Sequence, residues 1–134
     1  MKKQITIPFQ LTGWDAAPYD ETTENPTLSR VIVKKTFDGD LKGDAVGELL
    51  MCSSTGGSAG YTIMDRVTGE LCGRKGSFVM IHGATTDEMR AGGKIVPGSG
   101  TGELEGISRT VEFQSDENGK RIILDFTLED KVKC

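Results

Sequence analysis

The chain has 134 residues, which suits one domain around a single core, and its net charge of −4 argues against a dedicated nucleic-acid or anionic-membrane binder. Its 18 glycines are scattered at corners and are accompanied by only 4 prolines, a composition typical of a turn-rich β protein rather than of a low-complexity segment. No apolar run reaches the roughly 20 residues that cross a bilayer, and the amino terminus lacks the apolar stretch of a signal peptide. We therefore expect no membrane partner. The length and the turn-rich composition predict a single β-barrel domain over residues 1–134.

The cysteines and the histidine bear on compartment and cofactors. Cys52, Cys72 and Cys134 are an odd set without the CxxC spacing of redox or metal sites, and reduced thiols in a cytoplasmic protein are the simplest explanation. The one histidine, His82, has no carboxylate or thiol partners at a suggestive metal-ligand spacing. The sequence therefore predicts no metal and no cofactor.

Alternating apolar and polar residues predict eight strands. The first, residues 4–12, alternates from Ile5 to Leu11 and is followed by an irregular stretch, residues 13–27, which holds the only tryptophan. Long connections of this kind are often binding loops. The remaining predicted strands are 28–37, 44–52, 61–67, 77–84, 94–97, 107–114 and 122–129.

Three copies of the pattern Gly-acid-Leu-x-Gly punctuate these strands, at residues 39–43, 69–73 and 102–106. Paired glycines mark tight corners, and each copy precedes strand-like sequence instead of the helix that an anion-binding glycine loop needs. A spacing near 30 residues holds two strands and a connection. All three copies are therefore expected at one end of the fold, closed inside by Leu41, Leu71 and Leu104.

Eight antiparallel strands without a substantial helix predict an all-β fold, a closed eight-stranded antiparallel barrel. Such an interior is either filled by side chains or holds one small ligand. With the glycine copies at one end, the connections 53–60, 85–93 and 115–119 surround the other end. An up-and-down strand order places 13–27 at that open end as well.

Six residues are candidates for ligand binding, while the catalytic residues, if any, are unknown: Trp14, Tyr19, Glu48, Tyr61, Arg66 and His82. The aromatic residues and His82 are expected at the open end, where a ligand would enter. A charge inside the barrel needs a partner, so Glu48 and Arg66 are a candidate interior ion pair. The alternatives are structural: Trp14 covers the barrel end, His82 packs there with a hydrogen bond, and the two charges are solvated or lie in a subunit interface.

Two predicted strands, 44–52 and 77–84, are apolar on both faces. A strand with one face in water should alternate instead. Because the chain has no helix to cover the outer face, the expected cover is another copy of the protein. The sequence thus predicts a homo-oligomer, a dimer or trimer.

Several segments together resemble a family of small bacterial proteins known only as a domain of unknown function. The resemblance is carried by Trp14-Asp15, Pro18-Tyr19, Lys35-Thr36-Phe37, residues 39–43, Tyr61, residues 66–69, Gly73-Arg74, residues 76–79 and residues 96–104. That family is similar in fold to the allene oxide cyclase barrel, which implies an eight-stranded antiparallel barrel and often an oligomer. Because no motif here matches the binding residues of allene oxide cyclase, the resemblance transfers no activity.

Three functions remain open on the sequence. The first is a barrel that binds a small apolar or amphipathic molecule. The second is a cyclase- or isomerase-like enzyme that uses the same cavity, with His82, Tyr61 or Glu48 as acid or base. The third is a filled, ligand-free interaction barrel. An open cavity would favour the first two, and an ionisable group with a shifted pKa inside it would favour the second.

Overall fold

The computed structural model describes residues 1–22, 24–54, 57–88 and 91–129. Among these residues, no helix has the length and apolar character needed to cross a bilayer. The elements are β1 Lys2–Asp20, β2 Thr27–Asp38, β3 Leu41–Ser54, β4 Gly57–Leu71, β5 Arg74–Thr85, β6 Ala91–Ile95, a 3-10 helix Gly102–Leu104, β7 Ser108–Asp116 and β8 Gly119–Thr127.

Each strand pairs antiparallel with the next along the chain, and β1 also pairs with β8, so that the sheet closes on itself as a ring. The closing pair runs from Lys2 opposite Thr127 to Phe9 opposite Lys120. The prediction of eight antiparallel strands in a closed all-β fold is confirmed. Closure matters for function because it gives the sheet an interior, which the alternating side chains of every strand reach.

The first strand is longer than the sequence predicts. The expected connection over residues 13–27 is wrong for residues 13–20, which continue β1 and pair with β2 as far as Asp20 opposite Leu28. The register shifts between Leu11 and Gly13, so Thr12 is an extra residue of the kind found in a β-bulge. The bulge interrupts the alternation of side chains, which is the reason that the sequence pattern appears to end there.

The sixth strand is placed differently from its prediction. It spans Ala91–Ile95 instead of 94–97, and it pairs with β5 only from Met80 to Gly83. Beyond Ile95 the chain runs along the remaining part of β5 without forming a strand. There the amide of Thr101 donates to the Ser77 carbonyl at 2.8 Å, and the Ser99 hydroxyl accepts from the Val79 amide at 2.9 Å.

The three glycine patterns lie at one end of the ring, as predicted. Leu41 and Leu71 face each other across β3 and β4, and Leu104 belongs to the 3-10 helix that packs against β5. The exposed fractions of these three leucines are 1%, 0% and 1%. The Lys75 amide donates to Glu103 at 3.0 Å, which ties the third copy to the turn after the second. The interior is therefore closed at this end by apolar side chains.

The buried residues form two groups separated by a polar layer. The larger group fills the interior from the closed end and includes Phe37, Phe78 and Phe126. The smaller group lies on β2, β3 and β4 and consists of Val31, Val33, Leu49 and Ile63. At the level between the two groups, the inward residues of β2, β4 and β5 are polar: Lys35, Asp65 and His82.

Candidate functional site

The polar layer follows from strand alternation. On β2, Lys35 falls on the same face as Val33 and Phe37, which are both buried. On β4, Asp65 falls between Ile63 and Val67 in the same way. Since side chains of a strand alternate between the two faces, these two charges are forced into the interior, where they are 4% and 0% exposed.

Three side chains of this layer meet at one carboxylate oxygen. The Lys35 Nζ donates to Asp65 Oδ2 at 2.6 Å, and His82 Nε2 lies 3.0 Å from the same oxygen. The second oxygen, Asp65 Oδ1, is buried and has no hydrogen-bond partner among the described residues. We call Lys35, Asp65 and His82 the interior cluster. Within the described ranges, no group of three or more His, Cys, Asp or Glu side chains is placed to hold a metal ion.

The small residue Gly47 lets this cluster form. Asp65 on β4 reaches Lys35 on β2 by lying across β3, the strand between them, at the level where Gly47 pairs with Asp65. A Cβ on Gly47 would clash with Asp65 Oδ1 and would approach the Met64 carbonyl oxygen to 2.8 Å. A side chain at this position would therefore push the carboxylate away from its partners.

Aromatic rings surround the cluster. His82 stacks on Phe113 with ring centroids 3.9 Å apart and an interplanar angle of 23°. The Lys35 Nζ lies 5.3 Å from the centroid of the same ring, a distance at which a cation is attracted to the ring face. The Tyr61 hydroxyl lies 3.4 Å from His82 Nδ1. Both ring nitrogens of His82 thus have a polar neighbour.

The environment sets the protonation states of the cluster. Burial lowers the pKa of His82 below its ordinary 6.5, assisted by the Lys35 ammonium and opposed by the bond to Asp65. Burial alone would raise the pKa of Asp65, but the His82 hydrogen bond and the Lys35 ammonium together bring it below 3.8. Burial and the Asp65 charge raise the pKa of Tyr61 above 10.0. At neutral pH the cluster thus holds an aspartate and a neutral imidazole.

The tautomer of His82 follows from these states. An ionised carboxylate only accepts hydrogen bonds, so Nε2 carries the proton and donates to Asp65 Oδ2. Nδ1 is then an unprotonated acceptor, and the Tyr61 hydroxyl donates to it. The cluster therefore holds one basic nitrogen, backed by a carboxylate.

We expect the free energy of unfolding to decrease as the pH falls below about 6.5, because the folded chain resists protonation of His82 while the unfolded chain does not. The groups that face this imidazole are Asp65, Lys35 and Tyr61. Urea unfolding between about pH 8 and pH 5 measures the effect. The variant His82→Gln should lose this part of the pH dependence, since the chain has no other histidine. A wild-type stability that does not change between these limits would contradict the lowered pKa.

An open cavity lies above the interior cluster, on the side away from the closed end. Its volume is about 450 Å³ and its wall is mostly apolar. Its polar lining includes Lys35 and His82 of the interior cluster and Tyr61, together with the polar residues at positions 114, 115 and 120. The side chains along it are those of Phe9, Leu11, Trp14, Val33, Lys35, Leu49, Met51, Tyr61, Ile63, His82, Ala91, Phe113, Gln114, Ser115 and Lys120.

Three of the six predicted site residues meet at this cavity. Trp14, Tyr61 and His82 all line it, and Trp14 is 51% exposed at its edge. Tyr19 does not line it: this side chain is 55% exposed and lies in an outer groove near Leu28. Whether any of these residues binds a ligand stays a prediction. The tips of the predicted connections 53–60 and 85–93, at residues 55–56 and 89–90, lie outside the described residues.

The predicted interior pair of Glu48 and Arg66 is wrong. Both residues occupy outward positions, because the inward positions of β3 and β4 at this level belong to Gly47 and Asp65. Glu48 instead pairs with Arg30 on the outer surface at 3.0 Å, with side chains 54% and 61% exposed respectively. Within this single chain, both Glu48 and Arg66 are exposed to solvent, which is one of the two structural alternatives.

Sequence reasoning missed Lys35 and Asp65 as members of the site. The signal was present, since Lys35 interrupts the apolar face Val31, Val33 and Phe37 at the inward parity. Asp65 interrupts the inward face of β4 in the same way. Charged residues at inward positions of two strands of one sheet are the pattern that points to a buried pair.

Comparison with known proteins agrees with the fold. The sequence profile of the family described as "Protein of unknown function (DUF3224)" matches residues 5–128. A crystal structure of a protein of unknown function from the DUF3224 family of Shewanella oneidensis MR-1 is 32% identical, with a TM-score of 0.81. The match covers 97% of this chain and all of the other. None of the curated proteins matches the chain.

Proposed function

Because the chain belongs to the DUF3224 family, whose members have unknown function, we propose its function from the geometry of the cavity: it binds a small, partly apolar molecule. The observation that carries this proposal is the open space of about 450 Å³ above the interior cluster. Ligand pockets typically measure roughly 300–1,000 Å³ and combine an apolar wall with a few polar groups. A filled, ligand-free interior would not leave this space.

The apolar wall and the polar floor of the cavity suit different parts of a ligand. Leu11 and Trp14 line the cavity and are 41% and 51% exposed, so a ligand gains free energy from burying hydrocarbon against them. Lys35 and His82 at the floor offer polar contacts that orient one end of the ligand. The ligand class that fits both is an amphipathic molecule with one polar group on an apolar body.

The proposal also includes a fold likeness and a cellular location. The closed ring with one sealed end supports a likeness to the allene oxide cyclase barrel, which also binds an apolar molecule inside. The free thiols of Cys52 and Cys72 support a cytoplasmic location; Cys134 lies outside the described residues. Neither attribute is needed for the binding proposal itself.

Native mass spectrometry of the purified protein beside its denatured mass tests the binding proposal. We expect a mass excess that disappears on denaturation and that gives the mass of the ligand. The variant Leu49→Trp should abolish this excess, because Leu49 lines the cavity and a larger side chain fills it. The matched control is Leu50→Trp, because the side chain of Leu50, next to Leu49 in the chain, is 41% exposed on the outer face.

The same protein, freed of any ligand, should bind an added apolar probe and change the fluorescence of Trp14, the only tryptophan in the chain. A clean mass for the native protein together with no fluorescence response to a series of apolar probes would overturn the binding proposal. Equal mass excesses in Leu49→Trp and Leu50→Trp would place the ligand elsewhere.

We also propose that the protein self-associates through the outer face of β3, β4 and β5. Val46, Met64 and Ile81 on these strands are exposed by 49%, 57% and 40% respectively, and Met64 pairs in register with residues of both neighbouring strands. Analytical ultracentrifugation should show a dimer or trimer that Met64→Glu converts to a monomer. A wild-type protein that sediments as a monomer would contradict this.

A further inference from the structure

Burying the charged groups of the interior cluster has a desolvation cost that a binding role alone does not explain. Replacing a buried ion pair by apolar side chains of similar volume is often neutral or stabilising. Here Lys35 and Asp65 are 4% and 0% exposed, and Asp65 Oδ1 has no hydrogen-bond partner among the described residues. Orienting the one polar group of an amphipathic ligand needs only a neutral donor or acceptor, which would not require a buried ion pair. The cluster is therefore better suited to a chemical step than to adhesion.

One part of the cluster is a base. His82 Nε2 donates to Asp65 Oδ2 at 3.0 Å, which leaves Nδ1 as the basic nitrogen on a side chain that lines the cavity. When Nδ1 takes a proton, the imidazolium forms against an aspartate that stabilises it, as in other carboxylate–histidine pairs. The Tyr61 hydroxyl is 3.4 Å from Nδ1, a long contact that a reacting atom can replace.

The other part is a fixed positive charge. An ammonium has three donors, and Lys35 uses one of them on Asp65 Oδ2 at 2.6 Å. Its other donors make no hydrogen bond within the part of the chain that the structure describes, which leaves them for an oxygen that develops negative charge at the cavity floor. Because Lys35 and His82 bind the same carboxylate oxygen, the base and the donor are held at a fixed separation beside the Phe113 ring.

We propose that the cavity is the active site of a proton-transfer enzyme acting on apolar ketones, with His82 as the base, Lys35 as the oxyanion donor and Asp65 as the residue that positions His82. This inference rests on the binding proposal. His82 Nδ1 removes a proton from the carbon next to the carbonyl. The C–H electron pair becomes the C=C bond of an enolate, and the carbonyl π pair moves to oxygen, where Lys35 stabilises it.

The proton then returns from His82 to the same carbon or, in a β,γ-unsaturated ketone, to the γ carbon, which gives the conjugated isomer. No oxidant, reductant or second substrate is consumed. His82 ends the cycle neutral, as it began. The reaction class is therefore enolisation or double-bond isomerisation.

Hydrogen–deuterium exchange of 2-tetralone in D₂O, followed by NMR at its benzylic α carbon, tests the inference. Its planar analogue 2-naphthol mimics the enolate and reports binding separately through its absorption and fluorescence. We expect the wild-type protein to accelerate exchange, with the acceleration falling on the order of 10²–10⁴-fold in His82→Gln. Lys35→Met should also slow exchange, while the neighbouring exposed Lys34→Met should not change it.

The pH profile separates a chemical role from a structural one. The wild-type rate should rise with pH through the pKa of His82 and level off above it. In Asp65→Asn the midpoint should move to lower pH, because the aspartate charge favours protonated His82. This readout stands even if one of the other variants fails to fold.

The outcomes distinguish the two proposals. Binding of 2-naphthol without accelerated exchange, or exchange that His82→Gln leaves unchanged, would overturn the proton-transfer inference and leave the binding proposal standing. If neither probe binds while native mass spectrometry shows another ligand, the cavity does not take apolar ketones and only the inference falls. If there is no binding by any measure, both fall.

Discussion

Replacing Asp65 with leucine is expected to lower the free energy of unfolding by about 3–5 kcal/mol, because it leaves the Lys35 ammonium buried without its partner. The lysine side chain is 5% exposed and its Nζ lies 2.6 Å from the carboxylate that would be removed. The neutral His82 cannot replace that charge, and its Nε2–H would lose its acceptor as well. Urea unfolding measures the loss.

A double-mutant cycle decides whether the unpaired charge causes the loss. The double variant Lys35→Met with Asp65→Leu should recover most of the loss, since an apolar pair has no desolvation cost; about 1–3 kcal/mol should remain, because the buried His82 Nε2–H still lacks its acceptor. The matched control is the exposed pair of Arg30 and Glu48, where Glu48→Leu should cost less than about 1 kcal/mol. If Asp65→Leu were as mild as the control, the lysine would not be held as a buried ion pair.

Truncating Leu71 to alanine is expected to cost about 2–5 kcal/mol, because it opens a hole where the interior is closed. Leu71 is 0% exposed, and it packs opposite Leu41 in the core that also contains Leu104. The backbone around it is fixed by the turn of the second glycine pattern, so the neighbours can move only partly into the space. Urea unfolding of Leu71→Ala gives the value directly.

The control for this truncation is Leu50→Ala on the outer face. That side chain is 41% exposed, and in the Met64→Glu background, which is expected to be monomeric, its truncation should cost about 1 kcal/mol or less. The fluorescence of Trp14, near the opposite end of the ring, should stay unchanged in folded Leu71→Ala. A cost for Leu71→Ala equal to that of Leu50→Ala would mean that the closed end is not packed as described.

The parts of the fold that were predictable are those that local chemistry decides. The glycine patterns place tight corners, and the leucine in each of them has one apolar destination, the interior. Alternation predicted the faces of β2 and β8, and the inward residues Ile122, Leu124, Phe126 and Leu128 are buried as expected. These features need only the residues within one strand or turn and no knowledge of the partner strand.

The features that were not predictable depend on pairing across the sheet. Residues 13–20 are strand only because β2 supplies their partners, and the bulge at Thr12 hides the alternation that would have shown it. The bounds of strand β6 depend on its pairing with β5 and β7. Its own sequence gives no apolar alternation, because it contains Gly92 and Gly93.

The interior cluster lies between these two cases. Parity alone puts Lys35 and Asp65 inside, so the presence of a buried pair could have been inferred. Its members could not be matched, because the contact passes over β3 and exists only since position 47 is glycine. Glu48 and Arg66 have opposite charges, but both stand at the outward parity of their strands, so charge alone indicates the wrong pair.

The short sixth strand leaves part of β5 without a strand neighbour, and exposed strand edges are templates on which other chains can polymerise. Here the segment from Val96 to Thr101 occupies that edge, with backbone and hydroxyl groups taking the places of a strand's donors and acceptors. Together with the β1–β8 closure, this leaves the proposed self-association to side-chain faces. Copies would then meet by surface fit in a finite assembly, not by open-ended growth through backbone hydrogen bonds.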